Sequence, residues 1–372
     1  MARSLIVFPD DSATPLLERI DGAVRSLLIK MFSLSDSRVI NALIRAHRRG
    51  VKIRVMLNPA RRSGEIQNTG SGSVLREAGV DVLDTNPSFD VTHEKSMVVD
   101  GTVALIGSLN WDPDNFARAR DYAVVTADEK EVKEVIHCFE ADWSRQPFEP
   151  WKSSNLVWSP GAGRTQIAEF IDSARQSLII QNERYQDAII VHHIVRAKLR
   201  GVKVHVMTRP SHSLRPEQLV DGIGDLRIMQ DVGIKIRRLR HLKLHAKVLL
   251  VDRSRAVIGS INLTAGSFDK RRELAIRVDD PDILNRLWSV LHRDWKHSHP
   301  LDLTDEGVLK DLERHPERGG LSRAASVTAS AMEPPDGRDR DPVVPRSRDA
   351  AGSPASGDDQ SSKAASNGGH RT

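Results

Sequence analysis

The chain has few of the features that mark secreted or membrane-spanning proteins. Its 372 residues include a single cysteine, Cys138, so no intramolecular disulfide can form, and the helical pattern around it predicts a buried apolar setting. The apolar run near the start of the sequence is short and ends at Pro9, so it cannot form the core of a signal peptide. No stretch reaches the roughly 18 uninterrupted apolar residues that a membrane span needs. These absences predict a cytoplasmic protein whose association with a membrane would be peripheral.

Two further absences concern metals and the end of the chain. The string HEKSM at residues 93–97 lacks the second histidine of a zinc-protease helix, and no other metal-ligand spacing occurs, so neither a metal nor a cofactor is expected. Residues 317–372 contain no aromatic residue and no periodic apolar pattern, and they are rich in Gly, Pro, Ser and Ala. That composition predicts a disordered tail.

Positive charge exceeds negative charge, but unevenly along the chain. The net charge is +5, yet residues 301–372 hold 10 Lys and Arg against 13 Asp and Glu, which leaves +8 for residues 1–300. A basic folded part suits an anionic substrate or surface, although a solvated basic surface would have the same composition. The segment from Lys235 to Lys243 is especially rich in cations. It could contact lipid head groups or a nucleic-acid backbone, or form a solvated strand edge.

The predicted strands and helices occur twice in the same order. The stretch RRGVKIRVMLNP resembles the later stretch LRGVKVHVMTRP, and Gly201 lies 151 residues after Gly50. Apolar strands alternate with amphipathic helices, which predicts α/β sandwich halves that arose by duplication. The predicted organisation is an N-terminal half over 1–150, a C-terminal half over 151–300, a terminal helical segment over 301–316 and the disordered tail over 317–372.

A set of polar residues also recurs, at a constant offset of 152 residues. In each copy a histidine is followed by a lysine two residues later, an aspartate seven residues later, and a Gly-Ser-x-Asn string beginning fourteen residues later. A carboxylate closes each copy, 28 residues after the histidine. The first copy is His93, Lys95, Asp100, Gly107, Ser108, Asn110 and Asp121, and the second is His245, Lys247, Asp252, Gly259, Ser260, Asn262 and Glu273.

Each histidine–lysine pair indicates an anion site. Residues two apart in a strand share a face, and a buried lysine beside a histidine is costly unless an anion is present. Phosphate is the economical explanation, and the serine and asparagine of each copy could donate to it as well. Asp121 and Glu273 could accept a hydrogen bond from a histidine Nδ1–H, which would direct Nε2 at the substrate.

The remaining members of each copy have structural interpretations. Asp100 and Asp252 stand at a strand end beside a turn, where structural support is a better interpretation than catalysis. Gly107 and Gly259 would permit a close approach of backbones. Two histidines and two lysines suggest that one histidine attacks a phosphodiester phosphorus and forms a phosphohistidine. The other would protonate the leaving alkoxide and then activate water or an alcohol.

The repeated pattern HxKxxxxD followed by GSxN resembles the phospholipase D superfamily, over residues 1–300. The resemblance implies two α/β/α halves about a pseudo-twofold axis, with both motifs facing one cleft. It implies that His93 is the nucleophile and His245 the general acid, and that Asp121 replaces the family's usual glutamate with a carboxylate of shorter reach. The implied catalytic residues are His93, His245, Lys95, Lys247, Asp100, Asp252, Asp121 and Glu273, and the implied phosphate-binding residues are Lys95, Lys247, Ser108, Asn110, Ser260 and Asn262.

The resemblance leaves three kinds of function open. The first is a phospholipase D-type phosphodiesterase or transphosphatidylase, including cardiolipin synthase-like transfer, acting on phospholipid at a membrane surface. The second is a metal-independent nuclease that uses the same site, with nucleic acid as substrate. The third is a catalytically silent scaffold, which the nearly intact motifs disfavour. Because one chain supplies both motifs, a monomer is expected.

Overall fold

The N-terminal repeat alternates strands and helices, as predicted. The computed structural model describes residues 3–60, 66, 68–214 and 216–315, with side chains except at 216–218, so the predicted tail over 317–372 lies outside the described residues. The elements of this repeat are β1 (Arg3–Phe8), α1 (Thr14–Asp21), β2 (Ser26–Met31), α2 (Ser37–Arg48), β3 (Lys52–Leu57), α3 (Thr69–Glu77), β4 (Asp81–Asp84), β5 (Val91–Thr92), β6 (Lys95–Val99), β7 (Val103–Gly107), α4 (Pro113–Arg118), β8 (Ala119–Thr126) and α5 (Glu129–Trp143).

The C-terminal repeat has the same plan, with added short elements. Its elements are β9 (Leu156–Ser159), α6 (Gly163–Asp172), β10 (Ser177–Asn182), β11 (Tyr185–Gln186), α7 (Ala188–Leu199), β12 (Lys203–Thr208), a 3-10 turn (Ser211–Ser213), α8 (Pro216–Asp231), β13 (Lys235–Leu239), β14 (Lys243–Leu244), β15 (Lys247–Val251), β16 (Arg255–Gly259), β17 (Leu263–Thr264), α9 (Ala265–Asp269), β18 (Arg271–Val278), α10 (Pro281–Lys296), β19 (Ser298–Pro300) and α11 (Asp305–Glu313). The prediction of a duplicated α/β fold is therefore confirmed.

Each repeat builds a mixed sheet from equivalent strands. The first sheet has the order β1-β8-β7-β6-β2-β3-β4, and the second has β19-β13-β12-β10-β15-β16-β18 with β9 beside β18. In the first sheet the parallel pair β2–β3 lies beside the antiparallel pair β6–β7, and in the second sheet β10–β12 lies beside β15–β16. We call each of these antiparallel pairs the motif ribbon, because it carries the lysine, aspartate and glycine of one motif copy. The two motif copies consequently occupy equivalent places in their sheets.

Apolar packing joins the two repeats into one body. One core lies between the first sheet and the helices α1, α2 and α3, and a second core lies between the second sheet and α6, α7 and α8. A third core contains residues of both repeats, including Phe139 from α5 and Leu287 from α10, together with Val124 and Val248 from the two sheets. This shared core fixes the two motif-bearing faces against each other.

Two very short strands cross between the repeats. Strand β5 of the first repeat pairs with β18 of the second in parallel, and β14 of the second repeat pairs with β8 of the first. Each crossing strand directly precedes a motif histidine, and each receiving strand carries the carboxylate that closes the other motif copy. The two crossing strands therefore place each motif histidine beside the carboxylate-bearing strand of the opposite repeat.

The structure corrects the expectation for Cys138. The thiol is buried, as predicted, but its surroundings are polar: Lys30 Nζ lies 3.3 Å from Sγ and also donates to Glu94 at 2.9 Å and Asp142 at 2.7 Å. This ion cluster accounts for the burial of a lysine in the middle of β2. Within the described part of the chain, none of the helices combines the length and apolarity required to span a bilayer.

Candidate active site

The backbone fixes both motif histidines to the opposite repeat. The amide of His93 donates to the carbonyl of Arg272 at 2.9 Å, and the amide of His245 donates to the carbonyl of Arg120 at 3.2 Å. Arg272 and Arg120 each stand immediately before the closing carboxylate of their repeat. The sheet register, rather than a flexible side chain, thus determines which carboxylate each histidine meets.

Each imidazole forms a dyad with the carboxylate of the other motif copy. His93 Nδ1 lies 2.9 Å from Glu273 Oε2 and 3.2 Å from the carbonyl oxygen of Ser260. His245 Nδ1 lies 2.9 and 3.0 Å from the two oxygens of Asp121. The shorter carboxylate therefore reaches its partner, and these contacts favour the tautomer that leaves Nε2 available.

The two dyads open into one cavity of about 210 Å³. Both histidines line it, so the structure brings the two motif copies together as the resemblance implies. Its other walls are mostly polar or charged. They are formed by Phe32, Val91, Asn110, Asn115, Glu183, Arg184, Arg209, Lys243, Asn262 and Arg271.

Both motif lysines are buried, and neither is among the residues that line this cavity. Lys95 Nζ donates to the carbonyl of His93, and Lys247 Nζ donates to the carbonyl of His245. Burial lowers the pKa of Lys95 well below its usual value, and the neighbouring Lys247 charge lowers it further. Burial also lowers the pKa of Lys247. Two ammonium groups that repel each other in a buried site favour an anion between them, as a phosphate group would be.

Burial and the attraction between the partners of each dyad together set the pKa values of the two histidines and the two carboxyl groups. Burial lowers the pKa of His93 to about 3, although Glu273 opposes the shift. Burial likewise lowers the pKa of His245, against the attraction of Asp121. Burial alone would raise the pKa of both carboxyls, but the adjacent histidines bring the pKa of Asp121 and of Glu273 below the usual range. The cavity thus holds two neutral imidazoles supported by two carboxylates.

The motif serines, which the resemblance implies as phosphate ligands, are bonded within the fold and are not among the residues that line the cavity. Ser108 Oγ donates to Asp121 at 2.6 Å and accepts from the amide of Tyr122. Ser260 Oγ interacts with both backbone groups of Leu274. Both hydroxyls are fully buried and are absent from the cavity wall, because they tie the turn after the motif ribbon to the carboxylate-bearing strand. Asn110 and Asn262, by contrast, do line the cavity.

Asp100 and Asp252 are not among the residues that line the cavity, and their contacts agree with the structural interpretation drawn from the sequence. The carboxylate of Asp100 accepts from the amides of Val24, Arg25 and Ser26, and Asp252 accepts from the equivalent three amides at the start of β10. Both aspartates have positive φ, 54° and 50°, in the tight turn of the motif ribbon. They secure the preceding turn to the ribbon.

We expect the substitution Asp100→Ala to lower the free energy of unfolding by about 1–2 kcal/mol, because three backbone amides lose their acceptor. The turnover number should stay unchanged. Urea denaturation combined with steady-state kinetics checks both expectations. A large fall in turnover without a fall in stability would return Asp100 to the catalytic set.

Glycine at position 259 is required by close backbone contact, as predicted. A Cβ at this position would lie 2.3 Å from Ala275 Cα and 2.3 Å from the carbonyl oxygen of Leu274. At Gly107 the nearest atom would be a flexible leucine methyl at 3.0 Å, so the requirement there is weaker. The close approach at Gly259 brings β16 against β18, the strand that carries Glu273.

Ion pairs between the repeats stabilise the carboxylate-bearing strands. Arg120 donates to both oxygens of Asp294 at 2.8 and 3.0 Å, and Arg272 donates to both oxygens of Asp142 at 3.1 Å. Arg120 precedes Asp121 in the sequence, and its partner Asp294 lies near the end of α10 in the second repeat. Arg272 precedes Glu273, and its partner Asp142 lies near the end of α5 in the first repeat. These buried bidentate pairs hold the histidine–carboxylate register.

Sequence reasoning missed several residues of the cavity, above all Glu183 and Arg209. Glu183 Oε2 accepts from Arg209 Nη1 at 3.0 Å, and its Oε1 accepts from Asn262 Nδ2 at 3.0 Å and lies 3.6 Å from Lys247 Nζ. Arg184 also lines the cavity, and its buried Nε has no hydrogen-bond partner among the described residues. None of these residues belongs to the repeated motif, so the spacing argument could not find them.

Comparison with known proteins assigns the chain to a family. Residues 16–143 and 167–295 each match the family described as "Cardiolipin synthase, PLD-like domain". Among curated proteins, the polyphosphate kinase of Vibrio parahaemolyticus is 28% identical over 290 residues, which cover 73% of this chain and 40% of that protein. The polyphosphate kinase of Escherichia coli K12 is 26% identical over 308 residues, which cover 77% and 44%. The chain thus matches less than half the length of these relatives.

Solved structures agree on the fold. The phosphatidylserine synthase of Haemophilus influenzae Rd KW20 superimposes with a TM-score of 0.63 at 14% identity, covering 89% of this chain and 94% of that one. The polyphosphate kinase of Porphyromonas gingivalis gives a TM-score of 0.62 at 18% identity, covering 81% and 49%. Since the family match includes both repeats and well over half of the residues, the chain belongs to the family of cardiolipin synthase, PLD-like domains.

Proposed function

We propose that this chain transfers a phosphate-containing group from a phosphodiester through a phosphohistidine on His93, as a phospholipase D-type enzyme. The observation that carries the proposal is the pair of crossed histidine–carboxylate dyads whose histidines line one cavity, each with a buried lysine two residues further along the chain. When an imidazole attacks phosphorus, an alkoxide leaves readily only if a group on the opposite side protonates its oxygen. The second dyad supplies that group.

The reaction divides into two displacements. His93 Nε2 forms a bond to phosphorus while the bond from phosphorus to the leaving oxygen breaks, and His245 gives that oxygen its proton. His245 then takes a proton from water or an alcohol, whose oxygen displaces His93 from phosphorus. Lys95 and Lys247, together with Asn110 and Asn262, stabilise the charge on the phosphoryl oxygens in both transition states.

We propose phospholipid as the phosphodiester. The phosphatidylserine synthase of known structure has the same fold over nearly its whole length, which supports a lipid head-group ester as the substrate of this two-repeat architecture. The test is an assay in EDTA with purified protein and either phosphatidylcholine or phosphatidylglycerol vesicles, with plasmid DNA in a parallel tube. Release of head group or formation of a phosphatidyl alcohol, with intact DNA, supports the proposal. Cleaved DNA with unchanged lipid would instead make the protein a nuclease.

We expect kcat/KM for an alkyl phosphodiester to rise as pH falls from 8 to 6, by up to about tenfold per pH unit. The productive form has His93 neutral and His245 protonated. Because the pKa of His245 is lowered, acidification increases the fraction that is protonated, while His93, with a pKa of about 3, stays neutral. A pH–rate profile checks this expectation. A fall in kcat/KM over the same range would mean that His93 is the group being protonated.

A second candidate substrate is polyphosphate, and a specific surface favours it. We call this surface the basic groove; its volume is about 660 Å³, and its cationic walls include Arg118, Arg209, Arg238, Arg240, His241 and Lys243. Arg209 and Lys243 also line the active-site cavity, so the groove continues directly from it. A chain of phosphates would complement such a surface. The relatives named polyphosphate kinase support the same candidate.

The double substitution Arg238→Glu and Arg240→Glu separates the two substrates. If a polyphosphate chain occupies the basic groove, its binding should weaken by about tenfold or more and lose part of its salt dependence. The double substitution Arg48→Glu and Lys52→Glu, at two exposed positions outside the groove, makes the same change in net charge and is the control. Unchanged polyphosphate affinity in the double variant would remove this candidate, whatever the lipid assay shows.

A further inference from the structure

The two ends of the active-site cavity are chemically different although the repeats are related. The strand β2 is followed by Phe32, and at the equivalent place, 151 residues later, β10 is followed by Glu183. The same offset places Asn58 after β3 and Arg209 after β12. A duplicated sequence starts with the same residue at both of two equivalent positions. Glu183 and Arg209 in place of Phe32 and Asn58 therefore make the two ends of the cavity different.

At the His93 end of the cavity an aromatic ring packs against the motif histidine, near Val91 and Arg271. The Phe32 ring meets the His93 ring edge to face, with 4.9 Å between centroids, and Lys95 Nζ lies 4.9 Å from the centre of the same ring. This ring has no hydrogen-bonding group to offer a substrate. It occupies space beside the nucleophile.

The His245 end carries an ionised acceptor. Glu183 is buried, and burial alone would raise its pKa, yet Lys247, His245 and Arg209 lower that pKa well below the usual range. Its two oxygens accept from Asn262 and Arg209, which fix the carboxylate in place on the cavity wall. A carboxylate has about four lone-pair positions, so these two bonds leave capacity for a donor from a bound molecule.

In the proposed mechanism, the proton transfers to and from the alcohols take place at the His245 end of the cavity. His245 is the group that protonates the leaving oxygen and later removes the proton of the incoming alcohol, so both alcohols pass the His245 end. A carboxylate beside this path repels the anionic phosphoryl oxygens and attracts groups that donate hydrogen bonds. The second repeat thus offers the departing or arriving alcohol a fixed acceptor that the first repeat lacks.

We infer that Glu183 and Arg209 form an acceptor subsite, which binds an alcohol that carries a second hydrogen-bond donor, a hydroxyl or an ammonium group. The inference rests on the proposed phosphohistidine chemistry. The reacting hydroxyl faces His245, and the second donor is held by Glu183. Transfer to such an alcohol is thereby favoured over hydrolysis and over transfer to a simple alcohol of the same size.

A competing explanation is that Glu183 only balances the charge of Lys247. In that case its removal would change turnover with every acceptor by the same factor. An acceptor subsite instead predicts a change in the ratio between acceptors. The ratio is therefore the quantity to measure, because a purely electrostatic support role does not alter it.

The experiment uses bis(p-nitrophenyl) phosphate as the donor, with ethanol, ethylene glycol or ethanolamine at equal concentrations as acceptors. Release of p-nitrophenolate reports the first displacement, and the nitrophenyl alkyl phosphates formed report the second. For the unmodified chain we expect ethylene glycol or ethanolamine to be used about tenfold or more in preference to ethanol. Glu183→Gln should abolish a preference for ethanolamine, which depends on charge, and reduce a preference for ethylene glycol.

Glu129→Gln is the matched control, because it removes an exposed carboxylate on α5 that pairs with Lys133. It should leave the acceptor ratio as it is in the unmodified chain. If p-nitrophenolate is released but the acceptor ratio is near one, or if Glu183→Gln leaves the ratio unchanged, the subsite is wrong while the phosphohistidine proposal survives. If no p-nitrophenolate is released, the proposed function itself fails. A preference for ethanolamine over ethylene glycol would identify the second donor as an ammonium group.

Discussion

Replacing His93 by alanine is expected to lower kcat by about 10⁴-fold or more on any phosphodiester that the protein cleaves, including p-nitrophenyl esters with a good leaving group. The reason is that the first displacement has no nucleophile without this imidazole. Single-turnover assays with an aryl and an alkyl diester check the expectation. The paired variant His245→Ala should behave differently, because p-nitrophenolate departs without protonation whereas an alkoxide does not.

The pair of variants therefore distinguishes the two roles. His245→Ala should retain the initial release of p-nitrophenolate while losing nearly all turnover of the alkyl ester. His192→Ala, on an exposed face of α7, is a control for the removal of a histidine and should keep full activity. Full turnover by His93→Ala, or loss of the p-nitrophenolate burst in His245→Ala alone, would reverse or refute the assignment.

The second large effect is expected from Glu273→Gln, which should reduce kcat by about 10²–10⁴-fold. Glutamine has nearly the same shape, but it cannot stabilise a positive charge on His93 or hold its tautomer as a carboxylate does. Asp121→Asn should act in the same way on His245. Steady-state kinetics on an alkyl diester measure both effects, with circular dichroism to confirm that each variant is folded.

Ser108→Ala is a milder variant, and its loss of activity can be compared with that of Asp121→Asn. It removes one hydrogen bond to Asp121 and leaves the His245–Asp121 contact in place, so its effect should be far smaller than that of Asp121→Asn. If Glu273→Gln retained normal turnover, the crossed dyads would be an incidental feature of packing. If Ser108→Ala were as severe as Asp121→Asn, the serine would have a direct role that the cavity geometry does not give it.

Much of the fold could be predicted from patterns that occur twice in the sequence. The apolar strands around Lys52 and Lys203, the helices before them and the constant spacing of the motif all have local causes, namely periodicity, turns and helix caps. Such features can be deduced because each is determined within a few residues of sequence.

The crossed pairing of the dyads could not be deduced in this way. It depends on β5 and β14, two-residue strands whose pattern is too short to be recognised, and on their pairing with strands of the other repeat. For the same reason the sequence could not separate Ser108 and Ser260, which support the fold, from Asn110 and Asn262, which line the cavity. Those distinctions depend on which way a side chain points after a turn.

Glu183 illustrates the opposite case, in which the informative signal is a difference between the repeats. Comparing the two halves shows many unlike positions, and nothing in the sequence singles out the one where Phe32 and Glu183 correspond. Only the folded chain places both at opposite ends of one cavity. Asymmetry within a duplicated site becomes interpretable once the residues that face the substrate are known.

Covalent phosphorylation of His93 can be measured directly. The protein is mixed with bis(p-nitrophenyl) phosphate and quenched rapidly without acid, and its peptides are analysed by mass spectrometry under alkaline conditions that preserve phosphohistidine. We expect an adduct on the peptide that contains His93, which accumulates in His245→Ala and is missing in His93→Ala. An adduct on His245, or steady turnover with no adduct on either histidine, would contradict this expectation.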